Sequence, residues 1–158
     1  MGPSGSGKSL VGAALAARLR ARFVDGDDLH PRANVAKMAA GTPLDDDDRA
    51  PWLDAVALVL ARQSPVVVAC SALRRSYRDR IRASAGDTWF VELVVPQTTL
   101  RQRVSRRDHF MPATLLDSQL ATLEPLATDE AGARFANDAD LESVVSRIAS
   151  VREAQSLR

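Results

Sequence analysis

Cysteine is nearly missing from this chain. Cys70 is the one copy in 158 residues, which excludes an internal disulfide and fits a reducing cytoplasm. No run approaches the roughly 18 to 20 apolar residues that a membrane span needs, and no signal-peptide pattern precedes the first motif. An excess of one charge is lacking too. The net charge is +1, so no global field points to nucleic acid or to membrane lipid. Lysine is rare: of 21 basic residues only Lys8 and Lys37 are lysines. In so arginine-rich a chain, a retained lysine suggests a task that arginine cannot perform. Repeats, linkers and low-complexity tracts are absent, apart from the acidic run Asp45 to Asp48.

What remains has the balance of a globular protein, 46% hydrophobic and 26% charged. The length suits one domain, residues 1–158, with a real core. Helical and strand patterns alternate along it. Residues 8–22 set Leu10, Val11, Ala14, Leu15 and Leu19 at helical spacing, and the short strand Phe23-Val24 ends in Asp25-Gly26-Asp27. Pro31 opens a short helix over 31–40. A long helix over about 48–63 has carboxylates at its head and Pro51 in its first turn. Pro65 leads into Val66 to Cys70, whose lack of alternation marks a strand buried on both faces. A basic helix follows at about 74–84, then a strand from Trp89 to Val95 and helices at about 97–107 and 113–124. A weak strand at 134–137 and an amphipathic helix at about 140–155 complete the chain. Strands and helices alternating in this way build βαβ units around a parallel sheet. The expected fold class is α/β.

The segment Gly2-Pro3-Ser4-Gly5-Ser6-Gly7-Lys8-Ser9 matches G-x-x-x-x-G-K-[ST] at every fixed position. Glycines let the backbone curl so that successive N–H groups aim at phosphate oxygens. The helix that starts near Lys8 adds its positive end. In such a loop the lysine reaches the β- and γ-phosphates of ATP and the hydroxyl of Ser9 ligates Mg²⁺. Asp25 and Asp27 leave the carboxyl end of a strand on one face, where open α/β sheets place ligands. One of them can hold the Mg²⁺ shell and the other can accept the proton of an attacking hydroxyl. We assign Asp27 as the base and Asp25 to the metal, with the two roles open to exchange.

Several segments together resemble the gluconokinase family. They are Asp25-Gly26-Asp27-Asp28-Leu29-His30-Pro31, then Asn34, Lys37-Met38, Gly41 and Pro43-Leu44, then Asp45 to Asp48 with Arg49 and Pro51-Trp52-Leu53. Cys70 to Arg75 with Tyr77-Arg78-Asp79, His109 to Pro112, Ser118-Gln119 and Thr122 to Glu124 continue the likeness to about residue 125. The resemblance implies transfer of the ATP γ-phosphate to the 6-hydroxyl of D-gluconate. It also implies a three-layer P-loop fold with a lid at about 97–125, strand order 2-3-1-4-5, and a homodimer as a common form. Gluconate carries a carboxylate far from the reacting hydroxyl, and Arg49 and Arg78 are the candidates to grip it, since guanidinium forms two parallel hydrogen bonds. His30, Lys37, Ser71 and His109 are the remaining acceptor-site candidates. Among the lid arginines, Arg106 or Arg107 is expected over the transferring phosphoryl, with Arg107 taken as catalytic. A shikimate kinase-like enzyme, or a nucleotide-binding protein without catalysis, are the competing readings.

A loop of this kind joins a buried central strand to a helix, yet only Met1 stands before Gly2. The expectation is that Met1 is an internal residue at the end of that strand, lost through start-site assignment or truncation. Strands 66–70 and 89–95 should then stand about two strand spacings apart, unless the fold has rearranged.

Overall fold

A computed structural model describes residues 1–106 and 113–156. Along them run α1 (Lys8–Arg18), β1 (Arg22–Asp25), a 3-10 turn (Gly26–Leu29), α2 (Arg32–Ala39) and α3 (Asp46–Arg62). Then come β2 (Val66–Ala69), α4 (Arg75–Ser84), β3 (Phe90–Val94), α5 (Gln97–Ser105), α6 (Ala113–Thr122), β4 (Gly132–Ala136) and α7 (Leu141–Ser156). The alternation read from the sequence is present, with ends shifted by a few residues. One shift has a clear cause. Asp45 caps α3 through the Asp48 amide, and the Asp48 carboxylate returns the bond to the Asp45 amide. This reciprocal cap starts the helix at Asp46, so Pro51 lies in its second turn and not its first.

All strand pairs are parallel. β1 pairs with β2 from Arg22↔Val66 to Asp25↔Ala69, and β3 pairs with β4 from Phe90↔Gly132 to Val94↔Ala136. Helices cover both faces. On one, Trp52, Leu53, Val56 and Ala57 of α3 meet Tyr77 and Ile81 of α4, together with Cys70 and Phe90. On the other, Val11 and Leu15 of α1 meet Val144, Val145 and Ile148 of α7 over Leu93 and Phe135. Each such side chain contributes about 1.5 to 3 kcal/mol when fully buried, and this sets the three-layer order.

β2 and β3 do not pair with each other. Between them lies a slot of about 570 Å³ lined by residues 66–70 of one pair and Trp89, Phe90, Val91 and Leu93 of the other. Met1 sits at its end. Its α-amine donates to the Val91 carbonyl and its own carbonyl accepts from Leu93 N at 3.0 Å, while Gly2 N donates to Ser71 O at 3.3 Å. Met1 and Gly2 together therefore bridge the two pairs. The spatial order matches 2-3-1-4-5 with the place of strand 1 left as this slot.

Candidate active site

Gly5 and Gly7 hold φ of 81° and 90°, which residues with a Cβ rarely adopt. A Cβ on Gly7 would also come within 2.7 Å of Asn137 Nδ2, and that nitrogen donates to Ser6 O at 2.8 Å. The loop is braced from three elements. Asn137 holds it from the end of β4, Arg103 of α5 donates to Gly5 O at 3.1 Å, and Gln119 of α6 accepts from Ser4 N at 2.7 Å. Lys8 Nζ curls back to Pro3 O at 3.1 Å, over the mouth of the curl. Such a loop fits phosphate oxygens, with the N-terminus of α1 behind it.

The two aspartates part company after β1. Asp25 accepts from Ser9 Oγ at 2.6 Å and, through its other oxygen, from Asp27 N at 3.1 Å. Gly26 lets the chain turn there, since a Cβ would lie 2.6 Å from Ala69 O. Ser9 and Asp25 thus form a hydroxyl and carboxylate pair of hard oxygen donors, which suits Mg²⁺ bound partly through phosphates. Asp27 instead lines a pocket of about 330 Å³ together with Ser4 and Lys8.

His30, Arg49, Trp52 and Ser71 line the same pocket. His30 stacks on Trp52 with centroids 4.5 Å apart and planes 8° from parallel. Trp52 Nε1 donates to Gly26 O at 2.7 Å, which ties α3 to the aspartate turn. Burial, and then the charge of Arg49, push the imidazole down to about 4. Arg49 Nη1 donates to Tyr77 Oη at 3.4 Å, and its guanidinium lies over the Tyr77 ring. Tyr77 in turn donates to Asp46, which Arg74 also grips at 2.8 Å. Among the described residues Arg49 makes no ion pair with a carboxylate. The pocket lining therefore combines Asp27 and Lys8 with an arginine that makes no ion pair among the described residues.

Two expected substrate ligands, Arg78 and Lys37, lie outside the pocket lining. Arg78 is fully buried and lies outside the pocket lining. Its guanidinium pairs with Glu130 through two bonds of 2.7 Å and also donates to Ala72 O, Leu73 O and Glu124 O. Ala72 has φ 40°, a strained value for alanine, so Arg78 braces the loop that carries Ser71. Lys37 lies outside the lining as well, with its ammonium 2.6 Å from the Asp48 carboxylate. It ties α2 to the head of α3. Of the arginines expected on a lid, Arg103 touches the loop and Arg101 pairs with Asp117 at 2.7 Å, while Arg106 caps the end of α5. Arg107 and His109 lie outside the described residues.

Trp52, Gln119 and Asn137 went unassigned in the sequence. Trp52 and Gln119 lie within segments that carry the resemblance, which was a usable signal. Asn137 had none, since it ends a weak strand far from the loop it braces.

A phosphate-cradling loop, a Ser9–Asp25 pair and an acceptor pocket with its own carboxylate define a P-loop kinase. The family profile described as an AAA domain matches residues 1–126. The chain is 42% identical to the probable gluconokinase of Xenopus tropicalis, over 94% of this chain and 88% of that one. It is 44% identical to the gluconokinase of Gluconobacter oxydans, over 94% and 86%. The crystal structure of a gluconokinase from Sinorhizobium meliloti 1021 superposes with a TM-score of 0.89 at 45% identity, covering 99% of this chain and 92% of that one. This chain belongs to the gluconokinase family.

Proposed function

We propose that the protein transfers the γ-phosphoryl group of ATP to the 6-hydroxyl of D-gluconate, giving 6-phosphogluconate and ADP. The observation that carries this reading is the pocket that Lys8, Asp27 and Arg49 line together, with no carboxylate paired to Arg49 among the described residues. A sugar acid presents a hydroxyl and a carboxylate at opposite ends, and the pocket volume of about 330 Å³ is in the range of small-ligand sites. Arg49 grips the carboxylate, which points the other end of the molecule toward Asp27. Asp27 takes the hydroxyl proton as the new O–P bond forms and the bond between phosphorus and the ADP oxygen breaks. Lys8 meets the charge that shifts onto the phosphate oxygens. Ser9 and Asp25 would hold Mg²⁺, which when bound offsets phosphate charge.

The single cysteine, Cys70, is buried, in keeping with a reaction carried out in the cytoplasm. No helix among the described residues is long and apolar enough to cross a membrane. A homodimer is the assembly that the resemblance implies, and light scattering on the purified chain would test it. The test of function is a panel of acceptors in a coupled ADP-release assay. Gluconate should turn over and shikimate should not; turnover of another acceptor in preference to gluconate would overturn the reading. ATP binding with no turnover on any sugar acid would favour a non-catalytic nucleotide-binding protein.

A further inference from the structure

Asn34 determines which nitrogen of His30 carries the proton. The Asn34 side chain is buried, and its Nδ2 lies 2.7 Å from the Asp48 carbonyl oxygen. A carbonyl oxygen can only accept, so the amide nitrogen and not the amide oxygen faces it. That same nitrogen lies 3.4 Å from His30 Nδ1. A ring nitrogen that faces an N–H group has to accept, so Nδ1 is bare and the proton of the neutral ring resides on Nε2. Protonation of Nδ1 would set two donors against each other.

The rest of the surroundings agree. One face of the ring is covered by Trp52, whose own N–H is used on Gly26 O. Nε2 has no hydrogen-bond partner among the described residues, and the ring lines the acceptor pocket. The charged groups around that pocket are Arg49 from α3, Lys8 from the phosphate loop, and Asp27 and Asp28 from the turn. The carboxylate of Asp48 is turned to Lys37 and the Asp45 amide, so only the Asp48 carbonyl enters the Asn34 arrangement. Burial and Arg49 together keep the ring neutral at pH 7.

We propose that His30 is a fixed hydrogen-bond donor that reads an acceptor oxygen through Nε2–H and takes no proton during transfer. This rests on the pocket being the sugar-acid site. It makes His30 a specificity residue: it donates to a hydroxyl or carboxylate oxygen and discriminates against an analogue that lacks that oxygen, because a bound analogue would shield the donor from water and leave it unpaired. Asp27 remains the group that receives the proton.

The tautomer is directly measurable, because the chain has two histidines and a His30→Gln spectrum assigns the signals. In the ¹⁵N-labelled full chain, at pH 6 to 8, His30 Nδ1 should resonate as an unprotonated ring nitrogen and Nε2 as a protonated one. A protonated Nδ1 in that range would overturn the proposal. The kinetic arm uses His30→Phe, which keeps a ring on Trp52 and removes the donor. The gluconate KM should rise about tenfold, the cost of one hydrogen bond, with kcat and the ATP KM within about threefold. A kcat reduced by orders of magnitude at unchanged gluconate KM would put His30 on the reacting atoms and sink the idea. If the unaltered chain fails to phosphorylate gluconate, the proposed substrate falls, and the tautomer alone decides this inference.

Discussion

Asp25 and Asp27 stand two residues apart, yet one is bonded to Ser9 and the other lines the acceptor pocket. Their amide variants should therefore fail differently. Asp27→Asn should abolish phosphoryl transfer while nucleotide still binds, as read by single-turnover kinetics and ATP titration. Asp25→Asn should instead raise the Mg²⁺ concentration needed for activity. The reverse pattern would exchange the two roles. The arginines separate in the same manner. Arg49→Ala should raise the gluconate KM far more than the ATP KM. Arg78→Ala leaves Glu130 buried without its main partner, a change that costs about 3 to 5 kcal/mol, so thermal unfolding should report it before kinetics do. His30 adds a pH effect. Its folded-state value of about 4 lies below the unfolded value of about 6.5, so the unfolded chain takes the proton first. Its contribution to stability is intact above pH 6.5 and is lost as pH falls toward 4. A Tm profile over that window should flatten in His30→Phe relative to the unaltered chain.

At the scale of elements, α3 links most of the acceptor side. Its head is capped by Asp45, its first turn holds Asp46 and Asp48, and Arg49 and Trp52 follow on the inner face. Asp45→Ala should cost about 1 kcal/mol as a lost cap. It should also loosen Arg49, so the gluconate KM should rise with little change for ATP; no shift in either Tm or KM would refute the link. The helices and strands were legible because periodicity and caps are local. The phosphate loop was legible because backbone curl dictates glycine. Arg78 was not, although Tyr77, Arg78 and Ile81 share a buried face of α4 and that spacing hinted at an inward arginine. Its partner Glu130 is 52 residues away, and no local pattern reports a pairing of that kind. Lys37 likewise has its partner on another element, since its pairing with Asp48 on the next helix could not be read from its scarcity.

For the molecule as a whole, the slot between β2 and β3 has room for a further strand. An apolar strand of about five residues there would gain on the order of 10 kcal/mol in gross burial, as much as the net stability of a typical domain. A form that carries apolar, β-branched residues directly before Met1 should therefore show a higher Tm and a higher gluconate turnover than residues 1–158 alone, because the same segment fills the slot and steadies Gly2. An unchanged Tm would mean that the phosphate loop is held well enough by Gln119, Arg103 and Asn137.

The slot also bears on how copies of residues 1–158, produced on their own, would behave toward one another. Along it β2 has no strand partner among the described residues, and β3 is met only by Met1 at Val91 and Leu93; bare strand edges are templates for strands of other chains. Concentrated samples of residues 1–158 alone should thus drift toward large β-rich particles, seen as scattering that grows with time and with protein concentration. A strand seated in the slot would lengthen the colloidal lifetime of such samples.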